Sequence, residues 1–220
     1  MGLIIDATYF ENGNIYIPNN KDLMVEPTGS PTVIMELDFF IDKYERELLI
    51  NALGITLYDE FVIALADIDN VANLKWKELL NGKNYTNADG NVKRWDGLVG
   101  HNKQSLIAFY IFTEYLRNDN ETYATVGTVK NTAKNGERVD ATPKFIKANN
   151  QFLKAYQGGS DFTSPVVLVN GFGSVGYDYF INETVQVSLL RYLTDANELD
   201  ETAFPDFEFL IYESYNSLGI

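Results

Sequence analysis

From Leu106 to Phe112 the chain reads Leu-Ile-Ala-Phe-Tyr-Ile-Phe, seven apolar or aromatic residues without a charge. A helix over roughly 102–117 would be apolar there on nearly all sides, so it needs other elements packed around it. The run is far too short to span a bilayer. Its natural setting is therefore the middle of a helical bundle.

Helices that can surround it are legible on either side. From Asp38 to Leu53 the stripe Leu37, Ile41, Tyr44, Leu48 and Ala52 repeats at helical spacing, with Glu45, Arg46 and Glu47 expected on the solvent side. Gly54 is a natural end for that helix. A second helix is expected from Thr56 as N-cap, burying Leu57, Phe61, Ala64, Leu65 and Ile68, so the two form a helical hairpin. A short helix from Asn73 to Leu80 stops at Asn81-Gly82, and another from Thr142 to Tyr156 buries Phe145, Ala148, Phe152 and Tyr156. Lys83 to Trp95 reads as a β-hairpin turning at Asp89-Gly90. In 183–193 the alternation of Val185, Val187 and Leu189 suggests a strand, while Leu189, Tyr192 and Leu193 suit a helix, which is preferred.

The expected fold is mainly α: a small helical bundle with β-hairpin or loop insertions and extended N- and C-terminal arms. Residues 1–37 form the N-terminal arm, where Pro18, Pro27 and Pro31 prevent a long helix and Ile15-Tyr16-Ile17 is a short strand candidate. The bundle core occupies 38–157, a glycine-rich β-prone insertion 158–181, and a C-terminal helix with a docking tail 182–220.

Candidate chemistry thins out on inspection. With no cysteine and one histidine, His101, disulfides, thiolate metal sites and a multi-histidine zinc site within one subunit are excluded. Gly171, Gly173 and Gly176 match the dinucleotide pattern, but Tyr177-Asp178-Tyr179-Phe180 does not open a helix, and the stretch reads as a glycine-rich loop. Asn87 to Asn91 resembles a calcium loop only until Tyr85 falls where the first carboxylate ligand belongs and Asp96 where the bidentate Glu belongs, so a turn is expected. Asp195, Glu198, Asp200 and Glu201 read as a solvated charge run. His101 opens the central helix, where a capping or solvent role is expected. No catalytic residue, cofactor site or metal site is expected. The N-terminus carries neither basic residues nor a signal-type apolar region, and no membrane association is expected.

What remains is contact between chains. Phe207, Phe209 and Ile211 alternate as in a strand with one apolar face, which needs a partner edge, and Leu218 and Ile220 put apolar side chains at the very end. Tyr123, Thr125 and Val126 form the apolar centre of the polar stretch 118–141. These eight residues are the expected interface, with the tail docked on a neighbouring chain.

Several strings resemble a known family. The helical hairpin is followed by Lys75-Trp76-Lys77-Glu78-Leu79-Leu80-Asn81-Gly82 and Trp95-Asp96-Gly97-Leu98. Then come Phe109-Tyr110-Ile111-Phe112 with Tyr115-Leu116-Arg117-Asn118, Thr125-Val126-Gly127-Thr128-Val129-Lys130-Asn131, and finally Phe204-Pro205-Asp206-Phe207-Glu208-Phe209 with Asn216-Ser217-Leu218-Gly219-Ile220. Over roughly 36–157 and the last 17 residues the chain is similar to the head-to-tail connector (adaptor, ring or neck) proteins of tailed bacteriophages, those of crAss-like phages of gut Bacteroidetes in particular. The resemblance implies a virion structural protein assembled in the host cytoplasm as a homo-oligomeric ring, dodecameric in the family. Its partners would be other copies of itself, the portal protein and further neck or tail ring proteins, with genomic DNA passing through during ejection without tight binding. A reading from another class is a non-catalytic protein- or carbohydrate-binding module of a gut bacterium, its tyrosines stacking on sugars; a lipobox cysteine or export signal would favour it.

The charge agrees with a DNA path. Thirty-one acidic residues against 17 basic give −14, and phosphate affinity depends on Lys and Arg. The free protein is expected to leave a DNA duplex unbound in a filter assay at physiological salt. Sub-micromolar, salt-sensitive binding would contradict this.

Overall fold

A computed structural model describes residues 2–11, 13–17, 33–119, 122–124, 127–129, 142–158 and 185–212. Among these, six α-helices form: α1 (Val33–Leu53), α2 (Ile55–Leu65), α3 (Leu74–Asn81), α4 (Leu106–Asp119), α5 (Thr142–Tyr156) and α6 (Leu189–Leu199). The strands are β1 (Lys83–Thr86), β2 (Val92–Trp95), β3 (Thr122–Ala124), β4 (Gly127–Val129) and β5 (Val185–Gln186). The fold is mainly α, as the helical periodicities require.

Helix α4 lies at the centre. Ile107, Ala108 and Ile111 are fully buried, and α1, α5 and two 3-10 turns at 7–10 and 13–15 pack around it. The helix begins at Leu106, four residues later than expected. Asn102 and Lys103 take left-handed backbone angles (φ 52° and 59°) in a turn closed by the Gln104 N–H donating to the His101 carbonyl at 2.9 Å. Ser105 then caps the helix, its Oγ accepting from the Ala108 N–H at 3.1 Å. The cap expected of His101 is thus made by Ser105.

Gly54 joins α1 to α2 with φ 78°. Its N–H donates to the Ile50 carbonyl at 2.8 Å and its own carbonyl accepts from Tyr58 at 3.1 Å, so one residue ends one helix and caps the next. Thr56, expected as the cap, lies inside α2. Position 54 favours glycine because its φ lies in the left-handed region.

The hairpin forms where expected. Tyr85 pairs with Lys93 across β1 and β2, and Gly90 turns at φ 83°. Segment 183–193 contains both periodicities in succession. Val185 and Gln186 form β5, parallel to β2, and Ser188 then caps α6 with its Oγ accepting from Arg191 at 3.3 Å. The glycine-rich insertion, with Gly171 to Gly176, lies outside the described residues apart from Gly158.

Residues 2–11 and 13–17 lie on their own chain. Ile5, Phe10, Ile15 and Ile17 are buried in the core that α1, α4 and α5 build. The strand expected at Ile15-Tyr16-Ile17 does not form: Ile15 closes the 13–15 turn, and Ile17, buried like Ile15, donates its N–H to the Phe10 carbonyl at 2.9 Å. Helix α1 also starts earlier than expected, at Val33, inside the segment assigned to the arm.

Phe152 and Phe109 separate two kinds of core position. Phe152 is 1 % exposed between Tyr110 and Tyr156, whereas Phe109, 8 % exposed, borders two clefts. Phe152→Ala is expected to cost about 3–5 kcal/mol in urea unfolding. Phe109→Ala should cost less, because water can enter the space it leaves; an equal loss would show the clefts do not relieve it.

Candidate functional site

Glu45 was expected on the solvent side of α1. It is 1 % exposed, and its carboxylate accepts the backbone N–H groups of Leu3, Ile4 and Ile5 at 2.5 to 3.2 Å. Three successive amides cupped around one carboxylate satisfy a buried charge. Desolvation still raises the Glu45 carboxyl above its ordinary range, with the three amides pulling the other way and Asp42 adding to the rise. Its neighbour Glu47 does meet a partner, accepting from the Tyr110 hydroxyl at 2.8 Å.

The charge run at the end of α6 divides. Asp195 is fully buried, accepting from the Tyr85 hydroxyl at 2.7 Å and lying 2.8 Å from Arg191 Nε and 3.5 Å from Lys93 Nζ, itself buried. It fastens α6 to the β1–β2 hairpin. Glu198, Asp200 and Glu201 are exposed, and Asp200 Oδ1 accepts from the Thr202 N–H at 2.9 Å and from its hydroxyl at 2.7 Å. Those bonds to Thr202 lower the Asp200 carboxyl below its usual range. Among the described residues no three His, Asp or Glu side chains are grouped to hold a metal ion.

The tail departs from expectation. Phe207 and Phe209 are half-buried against the core of their own chain, and Phe209 stacks on Tyr156 at 4.4 Å. No strand forms here. The Gln157 carboxamide donates to the Tyr212 carbonyl at 2.7 Å and accepts from the Tyr212 N–H at 2.8 Å, the pair of bonds a neighbouring strand would supply. The Leu210 N–H donates to the Asn51 carbonyl at 2.7 Å, and Asn51 Nδ2 donates to the Tyr212 hydroxyl at 2.8 Å. The partner edge expected from another chain is provided within this one, as far as residue 212. Ile211 is exposed, breaking the alternation. Tyr123 lies on β3, paired with Thr128 of β4. Thr125, Val126, Leu218 and Ile220 fall outside the described residues.

Two clefts adjoin at Phe109 and Gln151. The first, about 280 Å³, includes Asp96, His101, Ser105 and Lys154 in its lining. His101 Nε2 is 3.0 Å from Arg94 Nη2, while Arg94 Nε donates to Asp96 Oδ1 at 2.7 Å. A guanidinium, not a carboxylate, thus holds the imidazole, which is not how a general base is oriented. The second cleft, about 300 Å³, lies between residues 13–16 and α5 and is lined by Tyr16, Phe109, Lys144, Lys147, Ala148 and Gln151, among others. A different surface escaped the sequence reading. Ile63 is 75 %, Val71 86 % and Leu74 52 % exposed, at the end of α2, in the 71–73 turn and at the start of α3. Ile63 falls off the stripe Leu57, Phe61, Ala64, Leu65 and Ile68, and that was the available signal.

Comparison with family models, curated proteins and solved structures finds no match to this chain.

Glu45→Gln leaves an amide nitrogen facing backbone donors and should cost about 1–3 kcal/mol at neutral pH. The pH dependence has a definite sign. Because the folded carboxyl titrates above the unfolded one, Glu45 favours folding most at low pH, and that contribution fades as pH rises through its raised pKa. The stability gap between wild type and Glu45→Gln should therefore widen as urea midpoints are taken from pH 7 towards pH 5. A gap that narrows would show that the amide bonds outweigh desolvation.

Proposed function

We propose that the chain is a structural subunit of a tailed-phage head-to-tail connector, closing with copies of itself into a ring between portal and tail. The observation that carries this reading is the exposed apolar group Ile63, Val71 and Leu74 on a body whose other large apolar side chains mostly sink into one core. The three stand across the junction from α2 to α3, and exposed large apolar side chains gathered on one part of a surface mark a place where another protein packs. The family resemblance of the helical hairpin, the Trp76 and Trp95 strings and the α4 aromatics supplies the kind of assembly. The net charge of −14 suits a wall past which DNA slides, since attraction to phosphate would hold the polymer back.

In this reading the chain works by shape and contact, as a link in the neck of the virion. Its neighbours would be the portal protein and further neck or tail rings. Negative-stain microscopy of the purified protein at micromolar concentration is expected to show closed rings of uniform diameter. Monodisperse protomers, with no rings formed on mixing with portal, would refute the reading.

A further inference from the structure

The exposed tip between α2 and α3 and the lysine-lined cleft beside α5 are complementary. We infer that the tip of one copy seats in the α5 cleft of a second copy of this chain. The inference rests on the ring-subunit reading and names the contact that would build the ring.

The cleft offers an aromatic floor and a basic rim. Phe109 and the half-exposed Tyr16 line it, and its charged lining residues, among the described ones, are Lys144 and Lys147, both exposed. Lys147 meets the neutral Asn14 amide at 3.4 Å. A volume of about 300 Å³ is at the small end for binding pockets and suits one or two aliphatic side chains.

The tip has the opposite character. Val71 and Leu74 are three residues apart, and Ile63 lies one helical turn beyond Asp59 on the outer side of α2. Four carboxylates accompany them: Asp59, Glu60, Asp67 and Asp69. Lys77 takes Asp69 at 2.7 Å and Lys75 lies 3.9 Å from Glu60, so Asp59 and Asp67 carry the exposed negative charge that these two lysines do not meet.

Charge complementarity selects a second copy as the occupant. Two chains of net charge −14 repel over most approaches, and an acidic apolar tip against a basic aromatic cleft reverses that locally. The two surfaces share no residue. A contact between them is therefore head-to-tail, the kind that propagates and can close into a ring.

The test uses two full-length variants at exposed positions. Val71→Asp spoils the tip and leaves the cleft, while Lys147→Glu spoils the cleft and leaves the tip. Light scattering after size exclusion should show each alone as a monomer at concentrations where wild type assembles, with at least tenfold weaker association and unchanged thermal unfolding. Mixed one to one, they should form a dimer and stop, because one good tip meets one good cleft. Rings that survive both substitutions, or a mixture that stays monomeric while wild type assembles, overturn the contact and leave the ring reading standing. Open, non-closing wild-type oligomers that both substitutions disperse uphold the contact and overturn the ring. Duplex DNA binding by wild type that Lys147→Glu abolishes would assign the cleft to phosphate and overturn the inference.

Discussion

Helix α4 is buried from Leu106 to Phe112, with Phe109 at the edge of two clefts, and the packing of the other elements answers that. Helix α1 covers one side, bringing Tyr44 edge-on to Tyr110 at 6.1 Å, and α5 covers another, with Phe152 4.9 Å from the same ring. Two helices cannot enclose a third. Segment 2–17 closes a further side with Phe10 and Ile15, and it has too little regular structure to satisfy its own amides. That shortfall is met by Glu45, whose buried carboxylate takes three of them. A charge in the interior is thus a consequence of an apolar helix that needs more cover than helices alone provide.

The helices were legible because their apolar spacing is a local property. Leu37, Ile41, Tyr44, Leu48 and Ala52 announce α1, and Phe152 and Tyr156 announce α5, whatever lies elsewhere in the chain. Burial of a polar group is not local in that sense. Glu45 is buried by residues about 40 positions earlier, and Asp195 by Tyr85 and Lys93 more than 100 positions earlier. Only the Arg191–Asp195 spacing, one helical turn, gave a hint.

The tail shows why the interface was harder to read than the fold. Phe207 and Phe209 correctly signal an apolar face seeking cover, but sequence does not say which chain supplies it. Gln157 and Asn51 supply the hydrogen bonds, and amide side chains that stand in for a strand leave no periodic mark. Ile63, Val71 and Leu74 were passed over for the complementary reason. Periodicity ranks residues by the stripe they share, and these three lie outside any stripe.

The Asp195 cluster also bears on how such a chain comes off the ribosome. Lys93, buried in the β1–β2 hairpin, is synthesised about a hundred residues before the carboxylate that faces it, and the parallel pairing of β2 with β5 waits equally long. Until α6 emerges, Asp195 is not there to face Lys93, and the burial of that pair waits for both. The hairpin and α6 therefore consolidate late and together, whereas Glu45 and the amides of Leu3 to Ile5 are available from the first fifty residues. Nascent chains halted before α6 would lack both the β2–β5 pairing and the Asp195 contacts, a window in which a chaperone has something to hold.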